Sequence, residues 1–104
     1  MSVLRRVARS GDIPLGDMKQ FEVGPARIVI AHTDDGFFAV ADVCTHDSAP
    51  ISDGEIDGGE VVCMRHGARF DLKSGVVTGP PALVPIDTYE VVVDGDNILV
   101  RLND

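Results

Sequence analysis

Basic residues are scarce in this chain: nine Lys and Arg stand against seventeen Asp and Glu, for a formal net charge of −8. A nucleic-acid binder needs a basic patch to displace counterions from phosphates, and this balance excludes that class. The single basic run, Arg5, Arg6 and Arg9, is interleaved with apolar residues at strand-like spacing and reads as a solvated strand face. An acidic surface suits a basic protein partner, whose approach it would steer, or serves solubility alone. Long apolar runs are also missing. The start, "MSVLRRVARSGDIP", has no apolar core of about 7 residues, so no export signal is expected. Nothing approaches the roughly 18 apolar residues of a membrane helix, so no membrane partner is expected either. With only two cysteines and no export signal, a reducing cytoplasm is the expected compartment. There, cysteines are first read as metal ligands or catalytic groups. The chain also lacks a Gly-rich phosphate loop, a nucleophile–base pair and an oxygen-activating set of two histidines and a carboxylate, so no organic substrate site is read.

What is present is β structure. The length of 104 residues fits one domain, 1–104, and 11 Gly and 6 Pro among abundant Val favour short strands and turns. Strands are expected at Val3 to Arg9, Phe21 to Val23, Arg27 to His32 and Phe37 to Val43, the last two joined at Asp34-Asp35-Gly36. Val61 to Cys63 follows Asp57-Gly58-Gly59. Arg69 to Leu72 and Val76 to Thr78 flank Lys73-Ser74-Gly75, and Tyr89 to Val93 and Asn97 to Leu102 flank Asp94-Gly95-Asp96. In the last strand Ile98, Val100 and Leu102 should face one way, Leu99 and Arg101 the other. No helical period runs far enough to define a helix. The fold class is all-β: antiparallel sheets in a sandwich or barrel-like arrangement.

Both cysteines and two of the three histidines fall in two short clusters, Cys44-Thr45-His46 and Cys63-Met64-Arg65-His66, each directly after a strand. Three readings compete. The residues could be unconnected core cysteines and surface histidines. They could form a structural Cys2His2 zinc site, although a Cys-x-His first half is unusual among zinc knuckles. Or they could hold a [2Fe–2S] cluster with two cysteines on one iron and two histidines on the other. The last reading gives each loop one ligand for each iron, which accounts for a Cys and a His in both.

"CTH" followed by "CMRHGARFD", with "SG" and "GPPA" beyond, resembles the Rieske iron–sulfur motif. The likeness runs from the N-terminal strand to the "VVVDGDNILVRL" ending, and is nearest to the soluble Rieske-type ferredoxins of bacterial ring-hydroxylating oxygenases. The resemblance implies a Rieske-like fold in which two loops form a small cluster-binding subdomain at about 43–82. It implies one [2Fe–2S] cluster, with Cys44 and Cys63 on one iron, and His46 and His66 on the other. It also implies a non-enzymatic, monomeric electron carrier working between a flavin-dependent reductase and a terminal oxygenase. Alternatives are a small redox subunit of a nitrite-reductase-like complex, and a zinc-stabilised interaction module without redox function.

The resemblance assigns further roles. Gly79-Pro80-Pro81-Ala82 matches the loop that covers the cluster from a third side, and Pro50, Ile51 and Met64 would form an apolar rim or shield. Respiratory Rieske proteins carry a cysteine pair where Ala49 and Arg65 stand here, so no disulfide can bridge these loops. The same proteins place hydrogen-bond donors to the cluster and cysteine sulfurs where Ala68 and Phe70 stand. Missing donors destabilise the more negative, reduced cluster, which sets the expected potential toward the lower end of the range of about −150 to +300 mV. His32 is expected at the surface, Asp47 as an exposed loop carboxylate, and Tyr89 packed in the C-terminal hairpin.

Overall fold

The structure, a computed structural model, describes residues 2–44, 50–64, 67–80 and 84–103. The strands are β1 (Ser2–Arg9), β2 (Met18–Val23), β3 (Ala26–Thr33), β4 (Gly36–Ala41), β5 (Glu55–Asp57) and β6 (Glu60–Val62). They continue with β7 (Arg69–Asp71), β8 (Val77–Gly79), β9 (Thr88–Tyr89), β10 (Val91–Asp94) and β11 (Asn97–Asn103). Single 3-10 turns at Ser10–Asp12 and Ile51–Asp53 are the helical elements among the described residues. The strands form three open antiparallel sheets, ordered β1-β11-β10, β2-β3-β4-β9 and β5-β6-β7-β8. The all-β antiparallel expectation therefore holds, with sheets that stay open and do not close into a barrel.

The middle sheet explains why "RIVIAH" reads as an unbroken apolar run. Successive strand residues point to opposite faces, and a strand covered on both faces needs apolar residues at every position. Ile28, Val29, Ile30 and Ala31 are all fully buried. Val29 and Ala31 join one core with Cys44, Cys63, Ala68, Phe70 and Leu72. Ile28 and Ile30 join another with Ile98, Val100 and Leu102. Strand β4 divides the same way, Val40 to the first core and Ala39 to the second. The middle sheet thus separates a far core, made with β1 and β11, from a near core that contains both cysteines. In β11, Ile98, Val100 and Leu102 face inward while Leu99 and Arg101 remain half-exposed, as the alternation required.

Strand limits depart from expectation where pairing overrides residue type. Strand β2 begins at Met18, because Lys19 and Gln20 pair with Ile30 and Val29 while their side chains stay exposed on a sheet edge. Strand β5, mostly charged, was not anticipated; it pairs through Asp57 and Glu60 with β6. The strand expected over Tyr89 to Val93 is divided. Tyr89 pairs with Ala39 of β4, whereas Val91 to Asp94 pair with β11, so the chain passes from the middle sheet to the outer one at Glu90. Tyr89 accordingly belongs to the middle sheet and packs on the far core, which corrects its assignment to the C-terminal hairpin.

Candidate metal centre

Strand β4 leads through Asp42 and Val43 into Cys44, and β6 leads directly into Cys63. The two strands belong to different sheets, yet both cysteines are buried in the same apolar core, with Phe70, Ile51 and Ala68. Of the four expected ligands the structure brings these two together. His46 and His66 lie outside the described residues, as do Asp47, Ala49, Arg65, Pro81 and Ala82. Among the described residues no three His, Cys, Asp or Glu side chains converge as a metal site.

Local bonds define the second loop. The Cys63 N–H donates to the Ala68 carbonyl at 2.7 Å, and the Gly67 N–H donates back to the Cys63 carbonyl at 3.0 Å. The chain thus reverses between Cys63 and Ala68. The first loop is tied at its base. Asp42 is only 6% exposed, and its Oδ1 accepts the Ser52 N–H at 2.8 Å. Its Oδ2 accepts the Ser52 hydroxyl at 3.0 Å and an N–H of the Gln20 amide from β2.

Two close approaches hold the loops to one another. At Gly54, just after the Ile51–Asp53 turn, a Cβ would sit 1.8 Å from the carbonyl oxygen of Val62, the residue before Cys63. Glycine is required there for the end of the first loop to lie on the start of the second. At Gly75, with φ +78°, a Cβ would sit 2.1 Å from the Ile86 carbonyl oxygen, and the Ile86 N–H donates to the Gly75 carbonyl at 2.9 Å. This contact holds the segment that returns from the proline loop. Pro80, in that loop, is exposed, and Gly79 is buried with its Cα side against the stem of Arg69.

Arg69 locks the sheet beneath the second loop. Its Nη2 donates to Asp57 at 2.6 Å and its Nε to Glu60 at 2.8 Å, linking β5, β6 and β7. The Arg69 guanidinium, helped by the Thr78 hydroxyl, holds the Glu60 carboxyl below its ordinary range, and Asp57 and Glu60 push the Arg69 pKa up. In the next turn the Ser74 hydroxyl and backbone N–H both donate to Asp71, which lowers that carboxyl as well.

Several expected roles are revised. Ile51 is fully buried, which fits the shield and not the exposed rim, whereas Met64 is 70% exposed and Pro50 is exposed. His32 is half-buried: its ring stacks on Phe37 with centroids 4.0 Å apart, and Nδ1 donates to the Ile13 carbonyl at 2.8 Å. Ala68 and Phe70 are fully buried in the core that holds the cysteines, and neither side chain can donate a hydrogen bond. Sequence reasoning missed Asp42, whose only signal was a carboxylate at the end of a strand, a position usually solvated.

The donor set fits an iron–sulfur group. Two thiols buried in one apolar core suit a soft metal centre. The Rieske [2Fe–2S] domain family matches residues 4–90. The chain is 36% identical to the ferredoxin component of biphenyl 2,3-dioxygenase from Rhodococcus jostii, covering 95% of this chain and 92% of that one. Among solved structures, the ferredoxin of carbazole 1,9a-dioxygenase from Nocardioides aromaticivorans superposes with a TM-score of 0.89 at 31% identity, covering 93% and 95% of the two chains. A complex of reduced oxygenase and oxidised ferredoxin in carbazole 1,9a-dioxygenase contains a chain matching at TM-score 0.86 and 31% identity, with 93% and 91% covered.

Proposed function

This chain belongs to the Rieske [2Fe–2S] domain family, and we propose that within it the protein carries single electrons from a flavin-dependent reductase to a terminal ring-hydroxylating oxygenase. The observation that carries this reading is the arrival of Cys44 and Cys63, from strands of two different sheets, in one buried apolar core. Residues 1–104 act as one Rieske-type unit, with the cluster held by the two loops and the proline segment at about 43–82. Cys44 and Cys63 hold one iron as thiolates, and His46 and His66 hold the other through ring nitrogens. When bound, the cluster supplies a one-electron site whose potential lies above that of all-cysteine clusters, because neutral imidazoles replace two thiolates.

The protein's own residues do the rest. The buried thiols and the side chains of Phe70, Ile51 and Ala68 keep water from the cysteine side of the site. The close approaches at Gly54 and Gly75 tie the first loop to the second and the β7–β8 turn to the segment returning from the proline loop. Exposed Met64, two residues before His66 in sequence, and exposed Pro80 offer apolar surface for a redox partner. Support for an oxygenase as acceptor comes from relatives named as dioxygenase ferredoxins and from the oxygenase–ferredoxin complex. We place the protein in the cytoplasm as a monomer, where thiolate ligands stay reduced until the cluster assembles. No helix among the described residues is long and apolar enough to cross a membrane.

The test is anaerobic purification followed by iron and sulfide analysis and electron transfer to a ring-hydroxylating oxygenase of the biphenyl class. A red-brown protein with about two irons and two sulfides per chain, re-oxidised by the oxygenase, is the expected result. A colourless protein with one bound zinc overturns the reading.

A further inference from the structure

Among the described residues only two polar side chains are buried, Thr33 and Asp42. Thr33 caps its own β3–β4 turn, its hydroxyl accepting the Asp35 N–H at 3.1 Å. Asp42 has no such local use. It reaches ten residues along the chain to bond both the backbone and the side chain of Ser52, and takes a third hydrogen bond from Gln20 of β2. Among the described residues no Lys or Arg pairs with it. A buried carboxylate is costly to desolvate, and a carboxylate satisfied by three neutral donors is stable only while all three stay in place.

The position of those donors gives the group its role. Asp42 stands two residues before Cys44, where the first ligand loop leaves the middle sheet, and Ser52 stands where that loop comes back. The backbone adds to the anchor, since the Asp42 N–H donates to the Arg27 carbonyl of β3 at 3.0 Å. One carboxylate therefore joins both ends of the loop to each other and, through Gln20, to β2. Loop closure costs chain entropy each time the loop orders, and a clasp at its base offsets that cost before any ligand is bound.

We propose that Asp42 is a positioning residue for the cluster: its clasp on Ser52 and Gln20 holds the Cys44–His46 loop ready to ligate, and its buried negative charge disfavours reduction. The inference rests on the electron-carrier reading above. Removing the side chain frees the loop base, so the cluster should be lost faster. Asp42→Asn keeps the Ser52 N–H bond through its Oδ1, and its NH2 donates to the Ser52 hydroxyl oxygen and to a flipped Gln20 amide. The loop base should therefore hold while the cluster becomes easier to reduce, since potential follows the net charge near the centre.

The experiment uses the full chain carrying its cluster, as wild type, Asp42→Ala, Asp42→Asn and Ser52→Ala. Bleaching of the visible absorbance in excess ferrous chelator, without oxygen, reads retention. A spectroelectrochemical titration reads the midpoint potential. Asp42→Ala should bleach at least about tenfold faster than wild type and Ser52→Ala several-fold faster, while Asp42→Asn stays within about twofold and has a raised midpoint. Should Asp42→Ala fail to fold, the Ser52→Ala rate and the Asp42→Asn midpoint still decide. Wild-type bleaching in Ser52→Ala together with an unmoved midpoint in Asp42→Asn overturns the clasp and leaves the carrier reading standing. A wild-type chain that assembles no [2Fe–2S] cluster overturns both.

Discussion

The two cores that share the middle sheet are built on opposite terms. The far core, around Ile28, Ile30, Ile98, Val100 and Leu102, is aliphatic packing on regular strands. The near core, on the other face of the same strands, takes in two cysteines and abuts a buried carboxylate and two glycines at which a Cβ would collide with backbone. The far core could be rebuilt with other aliphatics of similar volume and keep its function of holding the sheets together. In the near core, individual atoms matter, because each loop must arrive at one point from a different sheet. Both cores bury apolar side chains, and both cysteines lie in the near one.

The largest expected effect separates them outright. Cys63→Ser should abolish the cluster, with visible absorbance falling to the apoprotein baseline. Ile98→Ala in the far core should cost about 2–5 kcal/mol in a denaturant titration while leaving the midpoint potential of the folded protein unmoved. A displaced potential in Ile98→Ala would show that the two halves are coupled.

Next come the glycines. Gly54→Ala forces a methyl against the Val62 carbonyl oxygen and should cost at least about 1–3 kcal/mol and deplete bound iron. Gly24→Ala meets nothing within 4 Å, so only the left-handed backbone at φ +61° penalises it, by about 1–2 kcal/mol, with iron content unchanged. Equal iron content in the two variants would mean that the loop contact at Gly54 does not position the site.

A subtler change tests the donor-poor surroundings of the thiols. Ala68→Ser or Phe70→Tyr should raise the midpoint by tens of millivolts, about 59 mV for each tenfold change in the one-electron equilibrium. The wild-type value should lie in the lower part of the Rieske range of about −150 to +300 mV, and a midpoint in its upper half would contradict the account. Unmoved potentials in both variants would show that these side chains do not reach the sulfurs.

The smallest effect concerns acid. Glu60 and Asp71 have carboxyl pKa values below their ordinary ones, through Arg69 and Ser74 respectively. A lowered folded-state pKa contributes stability that is fully present above the unfolded value, near pH 4, and is lost as pH falls through the folded value. Asp71→Asn should therefore lower the melting temperature at pH 7 by no more than about 4 °C and flatten the decline below pH 4. An acid limb as steep as wild type would remove Asp71 from that account.

The same contrast explains what could be read from sequence. The far core was legible because alternation in "NILVRL" and the unbroken run in "RIVIAH" follow directly from which faces are covered. The meeting of Cys44 and Cys63 in one core was legible from spacing, since two Cys/His pairs after strands point to one shared site. What eluded the sequence depends on contacts between distant segments. Strand β5 carries two acids in three residues and exists because Arg69 and the pairing with β6 hold it. Ile51 could stand in rim or shield until its burial in the near core decided for the shield, and His32 looked exposed until Phe37 stacked on it.

The central claim is that Cys44, His46, Cys63 and His66 hold one asymmetric [2Fe–2S] cluster. The most direct measurement is electron paramagnetic resonance of the dithionite-reduced protein, with the histidine nitrogens labelled with 15N and read by pulsed methods. The account predicts an average g below that of all-cysteine [2Fe–2S] clusters, and two histidine nitrogens coupled to the reduced centre. A spectrum without nitrogen coupling, or a silent protein holding zinc, would contradict it.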